Sequence, residues 1–236
     1  MPLRDHFHPP LSTRRHWHSF HHAWATCLSF DLNHQLPEGY FAEPNVQFGI
    51  EIDVAAFEEA DGKIANGRDA TSCWTPPDPL LTIPLTLATD IIEVLVYSGE
   101  AGPTLAGAIE LVSPANKDRP ENRDAFISKC ATYVQGGVGL AMVDVVTSRS
   151  RNLHHDFVAR LGERAPRLDS ELYAAAYRPV ERDKQAKLDI WQEPLAIGRP
   201  LPDMPLWLRG GLCLQIHLEE TYERTSEEIR IPRNGA

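Results

Sequence analysis

Aromatic and apolar residues at three- and four-residue spacing predict an amphipathic helix near the start of the chain. It covers about residues 16–34, with an inward stripe made of Trp17, Phe20, His21, Trp24, Ala25 and Leu28. A second helix is predicted over 120–135, because a proline suits a first helical turn and two glycines follow the last residue. We expect the first helix to pack on a sheet with Trp17, Phe20 and Trp24 buried, since an exposed stripe of this size favours aggregation.

Runs of apolar and β-branched residues predict the strands of that sheet. Segments 46–57 and 138–146 are two of them, while 91–98 and 105–113 are expected to form a hairpin across the turn GEAGP. The order of 105–113, the helix and 138–146 predicts a strand–helix–strand crossover. The remaining predictions are a loop at 62–80, a helix at 152–162, a strand pair in ELYAAAYRPV and KLDIW, and a closing helix at 217–228. No internal repeat interrupts the chain, so a single domain over 1–236 is expected.

Composition narrows the classes of function. The 236 residues are 42% hydrophobic, and 23 basic against 33 acidic residues give a formal net charge of −10. Such a charge repels nucleic acid and anionic membranes unless a contact is local or bridged by cations. The four cysteines have no paired spacing, and neither a signal peptide nor a membrane span is predicted. A cytoplasmic protein with reduced thiols is therefore expected.

Two carboxylates within apolar strands are the strongest chemical signal. Asp53 and Glu110 interrupt such strands, where an acid is costly unless a cation pairs with it. On the following helix, Lys129 shares a stripe with Phe126 and Tyr133. If that helix packs on the sheet, two carboxylates and an ammonium converge. That set suits Mg²⁺ and a phosphate group.

The strings E-I-D-V-A-A-F-E, I-E-L-V-S-P-A-N-K and G-G-V-x-L-x-x-V-D occur in this order, with the Lys- and Tyr-bearing helix before the third. This arrangement resembles an uncharacterised bacterial family grouped with endonucleases of the restriction-endonuclease-like, PD-(D/E)XK fold. The flanking W-H-S-F-H-H, L-P-x-x-P-L-W-L and E-E-T-Y-E-R resemble the same family, so the likeness covers most of the chain. It implies an α/β fold: a restriction-endonuclease-like mixed sheet flanked by helices, with an added N-terminal helix and a C-terminal strand and helix extension.

The resemblance also implies a metal site. Asp53 matches the first metal-binding acid and Glu110 the second, with the main-chain carbonyl near Leu111 as a further ligand of Mg²⁺ or Mn²⁺. Two positions depart from the pattern. Val112 stands where a lysine usually follows the second acid, and Ile52 where the first motif often has proline.

The resemblance allows another lysine to take the missing position. In some branches of the superfamily the lysine lies on a helix, which makes Lys129 the natural substitute and Lys117 a second choice. Loss of catalytic activity is an equally simple explanation for the valine at position 112. Lys129 could also extend from the helix edge into water.

Simpler structural roles stay open for each candidate. Asp53 and Glu110 could form structural ion pairs, and Asp144 is expected to cap the turn after its strand. His18 and His22 have the i, i+4 spacing of a zinc site but no further ligand nearby in sequence. His21 is expected to be a hydrogen-bonded core residue.

The leading hypothesis is a metal-dependent nuclease acting on DNA, with Asp53, Glu110 and Lys129 as catalytic residues. The alternative is a non-catalytic relative that serves as a binding or assembly module, and a homodimer is a further hypothesis. A basic face near the acids would favour the nuclease, and the local basic residues that could form it are Lys117, Arg119, Arg123, Arg149 and Arg151.

Overall fold

A computed structural model describes residues 1–48, 50–58, 74–85, 104–163, 166 and 170–232. The described chain is a mixed α/β structure with one seven-stranded sheet and one two-stranded sheet. Its helices are α1 (Trp17–Gln35), α2 (Pro114–Asp118), α3 (Pro120–Gln135), α4 (Leu153–Arg160) and α5 (Leu218–Glu228). Its strands are β1 (Tyr40–Phe48), β2 (Ile50–Glu58), β3 (Leu81–Pro84), β4 (Thr104–Leu111), β5 (Gly139–Asp144), β6 (Tyr173–Arg182), β7 (Gln185–Pro194), β8 (Asp203–Trp207) and β9 (Cys213–His217).

The large sheet has the order β1-β2-β4-β5-β6-β7-β3. Every described pair in it is antiparallel except β4 and β5, which are parallel and are joined by α2 and α3. A parallel pair needs such a crossover, since a tight turn cannot return the chain to the same end of the sheet. The predicted strand–helix–strand unit is confirmed.

Each face of the sheet is covered by a separate hydrophobic cluster. One cluster joins the sheet to α1, α5 and the β8–β9 pair, and the other joins it to α3 and α4. On the first face, Trp24 Nε1 donates to Thr221 Oγ1 at 3.1 Å, and the rings of Phe20 and Tyr222 lie 5.1 Å apart. Phe20 and Trp24 are buried as predicted, whereas Trp17 is only partly buried. Trp17 keeps an exposed edge because it lines a cleft.

The segment 46–57 departs from its prediction. It belongs to two antiparallel strands, β1 and β2, in which Phe48 faces Ile50. The apolar pattern continues through both strands, so it could not separate them. The predicted strand 105–113 corresponds to β4, which ends at Leu111 and whose paired neighbours are β2 and β5. Its predicted hairpin partner, 91–98, and most of the predicted loop 62–80 lie outside the described residues.

The other predicted elements agree with the structure. The helices at 16–34, 120–135, 152–162 and 217–228 correspond to α1, α3, α4 and α5, and the late strand pair corresponds to β6 and β7. Among the described helices, none combines the length and the apolar character needed to cross a bilayer.

The buried side chain of His154 links α4 to strands β6 and β7 through hydrogen bonds. His154 accepts a hydrogen bond from the Tyr177 hydroxyl at Nδ1 (2.6 Å) and donates from Nε2 to the side-chain oxygen of Gln192 (2.7 Å). The Gln192 oxygen can only accept, so Nε2 carries the ring proton, and Nδ1 of the neutral ring is then the acceptor. Burial lowers the pKa of His154 to about 4.

The free energy of unfolding should therefore depend on pH through His154. An unfolded histidine titrates near pH 6.5. Between about pH 6.5 and 4 the unfolded chain binds the extra proton, so this stabilisation is complete above pH 6.5 and is lost as the pH falls. We expect a loss of about 3 kcal/mol from this residue by pH 4, measured by urea unfolding across that range.

The matched comparison is His154→Gln against His34→Gln, since His34 is exposed on α1. The first variant should flatten the pH dependence and the second should leave it unchanged. Parallel curves for wild type and His154→Gln would contradict the prediction.

Candidate functional site

The candidate site lies where the pairing of β2 with β4 ends. Val54 and Ile109 are the last paired residues, so Asp53 and Glu110 follow at neighbouring positions of the two strands. Beyond this pair the Asp53 side chain continues the hydrogen bonding, because its Oδ2 accepts from the Leu111 backbone N–H at 2.7 Å. Neighbouring like charges on two strands are unfavourable without a cation.

Helix α3 supplies that cation. Lys129 Nζ lies 2.7 Å from Glu110 Oε2, and its ammonium lies 5.2 Å from the centre of the Phe126 ring. The inward stripe of α3 therefore brings Lys129 onto the carboxylate, as the helical spacing predicted. The lysine does not simply extend into water, because only 15% of its side chain is exposed.

Helix α1 brings a fourth polar group, which the predicted site did not include. His21 Nε2 donates to the Leu111 carbonyl oxygen at 2.9 Å and lies 3.3 Å from Asp53 Oδ1. The expectation of a hydrogen-bonded core histidine is confirmed, but its partners belong to the candidate site. The available signal was a polar side chain on an aromatic stripe, the same signal that identified Lys129.

These groups open into one cleft of about 340 Å³. The residues that line it come from α1, β2, β4, α2 and α3, and they are Trp17, His18, His21, His22, Asp53, Glu110, Leu111, Ser113, Pro114, Ala115, Asn116 and Lys129. Asp53, Glu110 and Lys129, predicted from three distant segments, thus meet in one place.

The electrostatics of the cleft centre on Glu110. Its side chain is buried, and burial raises its pKa to about 8, while the Lys129 ammonium opposes that rise and Asp53 adds to it. Burial alone would lower the pKa of Lys129, but the Glu110 charge outweighs it and the net shift is upward. The Tyr133 hydroxyl also approaches the buried Glu110 carboxyl and, like Lys129, opposes the rise in its pKa. A buried carboxylate needs such donors or cations around it, because burial in a protein interior disfavours its charge.

Helix α2, which contributes to the cleft lining, is held in place by its cap and by a buried ion pair. Ser113 and Asn116 form a capping box at its first turn. Lys117 Nζ lies 2.9 Å from Asp144 Oδ2 with both side chains fully buried, and Asp144 Oδ1 accepts from the Val146 N–H. The predicted turn cap by Asp144 is confirmed. Lys117 does not line the cleft, so the structure leaves Lys129 as the lysine beside the acids.

The basic residues expected to form a DNA-facing surface do not line the cleft. Three of the five are paired with acids: Lys117 with Asp144, Arg149 with Asp118 at 3.5 Å, and Arg151 with Asp156 at 2.6 Å. Lys129 is the only lysine or arginine among the described residues that line the cleft.

The two histidines considered for zinc lie at the cleft mouth. The Nε2 atoms of His18 and His22 are 3.0 Å apart on one face of α1. Within the described ranges, no three His, Cys, Asp or Glu side chains form a metal-binding group. The oxygen of Leu111 that the resemblance implicates belongs to the backbone.

Comparison with known proteins does not assign the chain to a family. No protein-family model, curated protein or solved structure matches it.

Proposed function

We propose that this chain is a metal-dependent nuclease that hydrolyses DNA phosphodiester bonds at the cleft. The observation that carries the proposal is the convergence of Asp53, Glu110 and Lys129, with the ammonium 2.7 Å from one carboxylate. Two acids with one lysine match the chemistry of the motif that the sequence resembles. The proposed fold is accordingly restriction-endonuclease-like, supported by a mixed sheet in which β4, α3 and β5 form a crossover beside the acids.

The residues present fit a divalent ion such as Mg²⁺ or Mn²⁺. Hard cations take carboxylate and carbonyl oxygens, which Asp53, Glu110 and the Leu111 backbone provide. Glu110 Oε1 is buried, so a cation that reached it would offset part of the cost of burying the carboxylate. A bound ion would lower the pKa of a coordinated water and neutralise phosphate charge.

The residues of the chain would divide the remaining work. The Asp53 and Glu110 carboxylates would hold the ion. The Lys129 ammonium donates to the phosphate oxygens, whose charge grows as water attacks phosphorus. The attacking water would lose one proton to the solvent as its oxygen bonds to phosphorus, the ester P–O bond would break, and the leaving alkoxide would take up one proton from the solvent to become an alcohol.

The charge of the protein predicts how this reaction depends on ions. Two acids in a chain of net charge −10 repel DNA until a divalent ion reverses the local sign. Binding and cleavage should both require Mg²⁺ or Mn²⁺ and weaken with salt, whereas Ca²⁺ should support binding alone. The test is nicking of supercoiled plasmid and cleavage of single-stranded DNA with each metal, alongside calorimetric titration of the metals.

Two features favour the alternative, a non-catalytic binding or assembly module. Val112 occupies the usual lysine position, and the cleft lining described above contains no arginine. Metal binding without cleavage in the same experiment would support the module and contradict the nuclease. Absence of both signals would show that the two carboxylates are structural.

A further inference from the structure

The side-chain amide of Asn33, near the end of α1, pairs with the backbone of β1. Its Nδ2 donates to the Ala42 carbonyl oxygen at 2.8 Å, and its Oδ1 accepts from the Ala42 N–H at 2.7 Å. Among the described strands, β1 lies at one edge of the large sheet and has β2 as its neighbour. A further strand would use the same two groups of Ala42. Asn33 therefore takes the place of one residue of a neighbouring strand.

The positions on either side of Ala42 along this edge are closed as well. Backbone groups of alternate residues in a strand point to the same side, so Tyr40 and Pro44 share the outer side of β1 with Ala42. The Tyr40 N–H donates to the Pro37 carbonyl oxygen at 3.2 Å. Pro44 has no N–H to donate, and proline is a common means of blocking a strand edge. Three successive outer positions of β1 thus have no N–H left for another strand.

A second side-chain amide closes the edge of β9. Gln35 Nε2 donates to the Gln215 carbonyl oxygen at 2.8 Å, and the Gln215 N–H donates to Gln35 Oε1 at 3.1 Å. On its other side β9 pairs with β8. Gln35 Nε2 also donates to Asp31 Oδ2 at 3.0 Å, and that carboxylate oxygen lies 2.9 Å from His217 Nδ1. These contacts hold the amide of Gln35 against the strand.

One helix reaches both edges because of the spacing of these two residues. Each residue of an α-helix turns by about 100°, so Asn33 and Gln35 project to nearly opposite sides of α1. The end of α1 therefore covers β1 on one side and β9 on the other. An open strand edge is a template for pairing with another chain, and proteins block such edges with charges, prolines or covering elements.

We propose that the edges of β1 and β9 are interaction surfaces for a second copy of this chain, and that Asn33 and Gln35 keep them closed in the monomer. Two copies related by a two-fold axis would pair their β1 edges antiparallel and join their large sheets into one. A second copy is the partner that fits, because such an interface is self-complementary. The inference goes beyond the proposed function, since Asn33 lies about 18 Å along α1 from His21 and the cleft.

The test removes both amides and measures the mass of the full-length protein in solution. Leucine suits a helix but cannot bond a backbone group. In Asn33→Leu/Gln35→Leu, the mass measured by light scattering should rise to that of a dimer as the concentration is raised, whereas wild type should stay monomeric. The matched control is Asn122→Leu, which should also stay monomeric. Asn122 Nδ2 bonds a backbone oxygen too, that of Ala115 at 3.2 Å, but away from both edges.

Hydrogen exchange locates the contact within the molecule. The Ala42 and Gln215 N–H groups should exchange slowly in wild type at every concentration, because both are hydrogen-bonded. In the double variant they should exchange faster at low concentration and become protected again as the dimer forms.

Each other outcome would overturn the proposal. A folded double variant that stays monomeric at high concentration would leave the two amides as supports of α1 alone. A dimer without renewed protection at Ala42 and Gln215 would place the contact elsewhere, and equal association of Asn122→Leu would show that the effect is not specific to the edges. Association of wild type that adds protection at Ala42 or Gln215 would show that the edges are open. If the double variant does not fold, Asn33→Leu alone applies the same test to β1.

Discussion

Asp53→Asn is expected to abolish metal binding and DNA cleavage together. Asparagine keeps an oxygen that can accept the Leu111 N–H, so the local backbone should be preserved. It removes the negative charge that attracts the ion. We expect the cleavage rate to fall by at least roughly 10³-fold, which corresponds to about 4 kcal/mol in the barrier.

Lys129→Met should separate metal binding from DNA cleavage. Methionine retains an apolar side chain next to Phe126 but removes the ammonium beside Glu110. Metal binding should persist, because the ion itself then balances Glu110, while the rate should fall roughly 10²- to 10³-fold through lost transition-state stabilisation. Metal titration and plasmid nicking measure the two effects separately.

Matched controls come from outside the cleft. Asp203→Asn on β8 and Lys187→Met on β7 make the same chemical changes at residues that do not line it. Both should behave like wild type. The assignment of Asp53 and Lys129 would be wrong if either control lost activity to the same extent, or if Asp53→Asn still bound the metal and cleaved DNA.

Lys117→Met is expected to cost about 3–5 kcal/mol in the free energy of unfolding, because it leaves the buried Asp144 without its counterion. Desolvation already raises the pKa of Asp144 to about 6, and Lys117 opposes that rise. The double variant Lys117→Met/Asp144→Asn should recover part of the loss, since it removes the second charge as well. Chemical denaturation measures each variant.

The exposed pair between Arg160 and Asp124 provides the control. Its two atoms lie 2.5 Å apart, but 45% and 69% of the side chains are exposed. Solvent screening limits the contribution of such a pair to about 0–1 kcal/mol of the free energy of unfolding. Arg160→Met should therefore change that free energy little. Equal losses in Arg160→Met and Lys117→Met would show that the buried pair contributes no more than a surface one.

The features that could be predicted from the sequence are those with a signal in neighbouring residues. The ends of α3 follow from a proline at its first turn and glycines after its last residue, and α1 follows from the spacing of its aromatic residues. The position of Lys129 was also predictable, because helical periodicity fixes the face on which a side chain lies. These signals all lie within a few residues of the feature they predict.

Long-range pairing explains what could not be predicted. His21 contacts Leu111, which is 90 residues away, and β3 pairs with β7 through Leu81 and Ile190. Neither segment contains a signal that specifies its partner. The boundary between β1 and β2 was missed because apolar residues continue on both sides of it.

The contact between α1 and α5 has a consequence for synthesis on the ribosome. Trp24 donates a hydrogen bond to Thr221, and the ring of Phe20 packs against that of Tyr222. Helix α1 can therefore complete its packing only after α5 has been synthesised. Roughly 180 residues separate the two helices, and at ordinary translation rates this interval lasts roughly 10–40 s. During that time the aromatic stripe of α1 has no α5 to cover it, and His21 lacks its final support. The nascent chain therefore completes its candidate site late, when the closing helix emerges.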